Sequence, residues 1–112
     1  MVQKYEDMEW TKVENFKGGE KFVWMKKIED DLNRILLMKI PDGGSVGYHQ
    51  HEGSSEIIYF LEGEGTVKDG ETLISVKAGM MHYCPEGSYH SVINNSGKDL
   101  KFFAVVPFQT RG

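Results

Sequence analysis

Short runs of β-branched and aromatic residues alternate with turn-forming residues along most of this chain. Its 112 residues include 13 glycines but 3 prolines, and a pair such as Asp69-Gly70 is typical of a tight hairpin. No segment shows the apolar period of an amphipathic helix. Many short strands at this spacing predict an all-β fold, an antiparallel sandwich or barrel. The predicted strands cover residues 21–28, 34–40, 56–61, 66–68, 72–77, 80–84, 90–93 and 100–106.

The length suffices for one domain and leaves little chain for a second. Residues 1–20 are charged and weakly patterned, with scattered apolar side chains that include Trp10, Val13 and Phe16. We expect this segment to be an arm that packs on the barrel or on a partner chain, and residues 21–112 to form a single barrel domain. An arm of this kind could add a strand to a partner's sheet and cover its exposed edge, which predicts a homodimer.

Charge and hydropathy argue against two classes of partner. The net charge is −4 and no basic patch is visible, so we expect no binding to nucleic acid. The longest apolar runs, such as residues 35–38, are too short to span a bilayer, so we expect no membrane partner. The N-terminus lacks the apolar segment of a signal peptide, and the single cysteine, Cys84, cannot form an internal disulfide. These features predict a cytoplasmic protein.

All four histidines fall between residues 49 and 90. His49 and His51 occupy positions i and i+2, which share one face of a strand. Glu56 follows after a short loop, and His90 opens a later strand. A single histidine in a strand is more commonly a surface or hydrogen-bonded residue than a ligand, and Glu56 alone would be a charge at a strand edge. Taken together, three imidazoles and one carboxylate suit a divalent transition metal and leave coordination positions open.

The spacing of these residues extends over two longer motifs. The first is Gly43-x5-His49-x-His51-x4-Glu56-x6-Gly63, and the second is Gly79-x5-Pro85-x-Gly87-x2-His90-x3-Asn94. Both resemble the signature motifs of the cupin superfamily, with every fixed position filled, and the 15 residues between them match the short spacer of small microbial cupins.

The resemblance implies a jelly-roll barrel, also called a double-stranded β-helix, and a homodimer, since single-domain cupins usually pair. It also implies that His49, His51, Glu56 and His90 bind one divalent metal ion such as Mn, Fe, Ni or Zn.

Strand alternation predicts which side chains share the cavity with the ligands. The face of Glu56 should also carry Ile58 and Phe60. The face of His90 should carry Val92 and Asn94, and the face of His49 should carry Gly47. In the strand over residues 34–40 either face could point inward, and the even-numbered one is more apolar. Tyr48, Tyr59 and Tyr89 should point outward.

Two further residues carry open alternatives. His82 could be an acid or base in the pocket, as a weak catalytic candidate, or a structural hydrogen-bonded histidine. Because it lies outside both motifs, its replacement by alanine is expected to leave metal occupancy nearly unchanged. Cys84 fits a small core residue better than a nucleophile.

Cupins include dioxygenases, decarboxylases, isomerases and non-catalytic modules, so the fold alone does not choose a function. Some small bacterial cupins resembling this chain are described as oxalate-decarboxylase-like. In oxalate decarboxylases an arginine holds the substrate three residues before the first histidine ligand, whereas this chain has Val46 there and arginines at Arg34 and Arg111 alone. We expect a metal-dependent enzyme acting on a small organic acid or enol, by dioxygenase or decarboxylase-like chemistry. The alternative is a non-catalytic metal-containing module that binds or senses a small molecule.

Overall fold

The computed structural model describes residues 1–109, and Arg111 lies outside them. All eight strands predicted from sequence are present, with ends that agree to within two residues, and the nearly all-β fold is confirmed. Two strands lie outside the predicted runs, the first and the fourth. The strands are β1 Thr11–Glu14, β2 Phe22–Glu29, β3 Asn33–Ile40, β4 Ser45–Gln50, β5 Glu56–Glu62, β6 Glu64–Asp69, β7 Thr72–Lys77, β8 Met81–Cys84, β9 Tyr89–Ile93 and β10 Leu100–Pro107.

The strands form two antiparallel sheets that enclose one core, as in a jelly-roll barrel. One sheet has the order β1-β2-β3-β10-β5-β8 and the other has the order β4-β9-β6-β7. Strand β10 shows how the core is built, because its side chains alternate between buried and half-buried positions, the inward ones including Phe102 and Val106. Two short 3-10 helices, Tyr5–Asp7 and Phe16–Gly18, complete the regular structure of residues 1–109. None of these helices is long and apolar enough to cross a membrane.

The N-terminal segment covers part of the outer face of the larger sheet. Strand β1 pairs with β2 of the same chain, with Val13 opposite Val23. Trp10 lies between two lysines, whose ammonium groups are 4.6 Å (Lys26) and 4.7 Å (Lys39) from its ring. The apolar side chains of this segment are therefore partly covered by the chain's own sheet.

The second 3-10 helix packs directly on the backbone of β4. A Cβ atom at Gly47 would lie 2.0 Å from the carbonyl oxygen of Lys17, and one at Gly19 would lie 2.1 Å from that of Ser45. Two glycines that face each other thus permit a backbone approach that no other residue type allows. This contact places Phe16 and Lys17 beside the first half of β4.

Strand β4 also carries an irregularity that changes which residues face the core. Val46 pairs with Val92 and His49 pairs with His90, so β4 has one more residue than β9 between the two pairs. Val46 and His49 consequently both line the interior, although they are three residues apart. The expectation that Gly47 shares the face of His49 is wrong, because the extra residue interrupts the alternation.

Candidate metal centre

The two sheets bring together the four residues that the motifs indicated. His49 lies near the end of β4, His51 directly follows that strand, Glu56 opens β5 and His90 lies in β9. The backbone N–H of His51 donates to the carbonyl of Ser88, which keeps the chain extended beyond β4. One nitrogen from each ring and one carboxylate oxygen lie within 4.8 Å of one another. These residues form a cluster that could hold a metal ion.

The donor atoms of the cluster face a common point. The Nε2 atom of His51 lies 3.3 Å from that of His49 and 3.0 Å from that of His90. Oε1 of Glu56 lies 2.9 Å from Nε2 of His51 and 3.1 Å from Nε2 of His90. His51, Glu56 and His90 are buried, and His49 is half-buried.

The opposite ring nitrogen of each histidine is engaged elsewhere. Nδ1 of His49 donates to the carbonyl oxygen of Gly47 at 2.7 Å, and Nδ1 of His51 lies 3.0 Å from the hydroxyl of Ser54. Nδ1 of His90 lies 2.9 Å from Nε2 of His82. A ring that donates through Nδ1 has its lone pair on Nε2. All three Nε2 lone pairs can therefore point into the cluster.

This donor set fits a divalent transition metal. Neutral lone pairs about 3 Å apart repel one another unless a cation or a proton lies between them. Imidazole nitrogens and a carboxylate oxygen are ordinary ligands of Mn, Fe, Ni and Zn ions. The hydrogen bonds at Nδ1 are the outer contacts that orient histidine ligands in metal sites. The four residues satisfy both requirements of such a site, a convergent donor set and fixed ring orientations.

Burial of His49, and the imidazoles beside Glu56, keep these two residues in the protonation states that metal binding needs. Desolvation lowers the pKa of His49 to about 4, with the positions of His90 and His51 adding to the effect. Burial by itself raises the pKa of Glu56, but the imidazoles of His51 and His90 beside its carboxylate outweigh burial and lower that pKa to about 2. His49 is therefore neutral and Glu56 ionised across the neutral pH range.

His82 is buried behind His90 and does not line the cavity. The structure supports the hydrogen-bonded alternative for this residue, and its partner is a member of the cluster. Desolvation, followed by the nearby His90, lowers the pKa of His82, which favours the neutral ring that can accept a hydrogen bond from His90. The weak catalytic candidate is thus placed where it can orient His90.

Cys84 is fully buried, and its thiol lies 3.6 Å from the carbonyl oxygen of Ser88. Burial, with smaller contributions from Glu56 and Asp69, raises its pKa to about 11. The thiol is protonated at neutral pH and unsuited to nucleophilic attack. The prediction of a core residue is confirmed.

A cavity of about 260 Å³ opens beside the cluster, between the two sheets. Strand β3 contributes its even-numbered face, with Leu36 and Met38 in the wall, so the more apolar of the two faces points inward. Ile58 and Val92 also line the cavity as predicted, whereas Phe60 and Asn94 are fully buried and do not line it. Tyr48, Tyr59 and Tyr89 are exposed as predicted.

Sequence reasoning missed several residues of this site. Phe16 and Lys17 line the cavity although they belong to the N-terminal segment. No local signal identifies them, because the 3-10 helix reaches the cavity through its contact with β4. Ser54 was also missed, and its position three residues after His51 in a polar turn is a weak signal.

Comparison with known proteins agrees with this architecture. A family model described as a cupin domain matches residues 36–106. The oxalate-binding protein of Thermotoga maritima is 37% identical over an alignment that covers 95% of this chain and 93% of that protein. The crystal structure of a predicted oxalate decarboxylase from Thermotoga maritima matches with a TM-score of 0.91 and 34% identity, over 96% of this chain and 99% of the other.

A more distant structure shares the fold. The polyketide cyclase RemF from Streptomyces resistomycificus matches with a TM-score of 0.80 and 21% identity, over 96% of this chain and 80% of the cyclase. A match at this identity shows a common architecture and carries no information about activity. The cupin domain match spans more than half of the chain, and the Thermotoga relative is similar over nearly its whole length, so the chain belongs to the cupin family.

Proposed function

We propose that the chain binds one divalent transition metal ion through His49, His51, Glu56 and His90. We further propose that a small organic acid or enol binds to open positions of that ion. The observation that carries the proposal is the convergence of three Nε2 atoms and one carboxylate oxygen beside a cavity of about 260 Å³. That volume is close to the lower end, about 300 Å³, of pockets that bind small molecules.

The proposed reaction class is dioxygenase or decarboxylase-like chemistry on the bound acid. When bound, the ion would polarise ligand oxygens, and iron would also support oxygen chemistry. Apolar side chains form most of the inner cavity wall, and Ser54 and Gly47 keep two of the imidazoles in position. Glu52 lines the cavity and is exposed, so its carboxylate is available to hold or move a proton near the ligand.

A non-catalytic binding module is the second candidate, and one observation favours it. His82 lies behind His90, so among residues 1–109 no histidine outside the cluster lines the cavity. The relative from Thermotoga maritima is described as an oxalate-binding protein, which is also consistent with binding without turnover. The two candidates share the metal and the acid and differ in whether the acid is converted.

The test begins with metal analysis of protein purified without chelators. Protein loaded separately with Mn, Fe(II), Ni or Zn is then titrated with oxalate and pyruvate by calorimetry. The same samples are assayed for oxygen uptake and for release of carbon dioxide. Turnover would support the enzyme, whereas binding without turnover would support the module. The proposal would be contradicted if the protein bound no metal, or if none of the metal-loaded forms bound either acid.

A matched pair of variants tests the ligand assignment. Glu56→Gln removes the carboxylate of the cluster and should weaken metal binding and alter which metal is preferred. Glu62→Gln makes the same change at the exposed end of the same strand and should leave metal affinity unchanged. Equal effects of the two substitutions would show that Glu56 is not a ligand.

A further inference from the structure

The wall of the cavity is far more apolar than a site for a fully polar acid requires. Seven of the lining residues have buried hydrophobic side chains. Two aromatic residues with half-buried side chains extend this apolar surface. These nine residues are Phe16, Leu36, Met38, Val46, Ile58, Val92, Phe102, Val106 and Phe108.

The polar groups of the cavity are concentrated in two places. The donors of the metal centre form one group, and exposed or half-buried residues at the rim, among them Lys17, Arg34 and Glu52, form the other. The guanidinium of Arg34 is already paired with Glu29. The apolar wall between these groups offers neither donors nor acceptors to a ligand. A two-carbon acid bound at the metal centre would leave much of that wall uncovered.

We propose that the ligand is an organic acid with an apolar body of several carbons. This inference rests on the proposed function, and it specifies the substrate class of the same site. The oxygen atoms of the acid bind at the metal centre, and its carbon body covers the wall that includes Leu36, Met38 and Phe102. Burial of the body strengthens binding because each methylene removed from water favours the complex.

A homologous series of 2-oxo acids tests this inference, because each member presents the same oxygen atoms and the body alone changes. The probes are pyruvate, 2-oxobutyrate and 2-oxopentanoate, titrated by calorimetry into zinc-loaded protein, with oxalate for comparison. Zinc is chosen because it has no redox chemistry. We expect the Kd to fall about fourfold for each added methylene.

The possible outcomes separate this inference from the proposed function. A Kd that is constant or rises along the series, or oxalate as the tightest ligand, would overturn the apolar body while leaving the acid site intact. Failure of all four acids to bind would overturn the proposed function and this inference with it.

Adjacent leucines on β3 supply a matched pair of variants. Leu36 and Leu37 are each 4% exposed, but Leu36 lines the cavity and Leu37 does not. Leu36→Ala should weaken binding of 2-oxopentanoate about tenfold and change the Kd of pyruvate little. Leu37→Ala should change neither. If Leu36→Ala does not fold, Phe16→Ala at the half-buried end of the wall replaces it, with the same expectation. Equal Kd values for 2-oxopentanoate in the cavity variant and in Leu37→Ala would overturn the inference.

Discussion

Nε2 of His82 lies 2.9 Å from Nδ1 of His90, so a histidine outside both sequence motifs contacts a member of the candidate metal centre from behind. Because the two rings are buried, no water can take the place of His82 as the acceptor for the Nδ1 proton of His90. The contact keeps the lone pair of His90 on Nε2, where it faces His51 and Glu56. We therefore expect His82 to act on the candidate metal centre through His90, as a positioning residue.

His82→Ala is expected to weaken metal affinity about 10- to 100-fold, the usual cost of removing a partner that orients a metal-binding histidine. From sequence position alone, this variant was expected to leave metal occupancy nearly unchanged. The hydrogen bond to His90 is the reason for the new expectation. His82→Gln keeps an acceptor and should recover part of the loss. Zinc affinity measured by competition with a chelating dye checks both variants. An unchanged zinc affinity in His82→Ala would show that the hydrogen bond does not affect metal binding by His90.

Metal removal should destabilise the folded protein. At a free zinc concentration of 100 times the Kd, binding adds about 2.7 kcal/mol, which corresponds to a rise in Tm of about 10 °C for a domain of this size. His51→Ala should abolish this rise because it removes a central donor of the cluster. Thermal unfolding with and without a chelator provides the measurement. If His51→Ala keeps the rise while His82→Ala loses it, the ligand assignment is wrong.

Gly47→Ala should separate the second 3-10 helix from β4. The added Cβ would lie 2.0 Å from the carbonyl oxygen of Lys17, and both sides of the contact are backbone. We expect a loss of about 3 kcal/mol in the free energy of unfolding, at the upper end of the usual cost of overpacking. Gly53→Ala is the control, since Gly53 has a φ of +73° and open space around its Cβ position, and backbone strain alone should cost about 1 kcal/mol. Similar losses in urea unfolding of the two variants would contradict the contact.

Alkaline pH should destabilise the protein through Cys84. Burial raises the thiol pKa from an ordinary value of 9.0 to about 11, so between these values the folded state holds a proton that the unfolded state loses. This contribution to stability is complete below pH 9 and is lost as the pH rises toward 11. Cys84→Ala should therefore show a weaker fall in Tm between pH 9 and pH 11. Thiol labelling at pH 8 should be slow in native protein and rapid in denaturant, and fast native labelling would contradict the burial.

A homodimer remains a prediction, and the structure suggests a different surface for it. The N-terminal segment already covers part of the larger sheet, whereas the outer face of β5 and β8 exposes Ile57, Tyr59, Met81 and Tyr83. Light scattering at micromolar concentration should give the mass of a dimer. The Tyr83→Lys substitution should shift the measured mass toward that of the monomer, because the new lysine places a charge within the apolar patch. Leu73→Lys changes an exposed leucine of the other sheet and should not. A monomeric mass for the unmodified protein would refute the prediction.

The sequence alone predicted the strands whose signals are local. Strand β7, for example, has the bounds 72–77 in both the sequence and the structure, because turn residues on each side fix its ends. The approach of His49 and His51 was likewise predictable, since residues two apart in extended chain share a face. Strand β1 was not predictable, because its four residues, mostly exposed, have no apolar alternation and become a strand by pairing with β2.

The remaining features depend on which strands become neighbours. The extra residue in β4 places Val46 in the cavity. This irregularity arises from the pairing of β4 with β9, in which Val46 lies opposite Val92 and His49 lies opposite His90. The contact between His82 and His90 joins strands of different sheets, and that between Lys17 and Gly47 joins a helix to a strand. The sequence by itself therefore determined the periodicity of the strands and the identity of the four clustered residues. Only the tertiary structure decided what stands behind each imidazole and what lines the cavity, because these contacts join segments that have no local influence on one another.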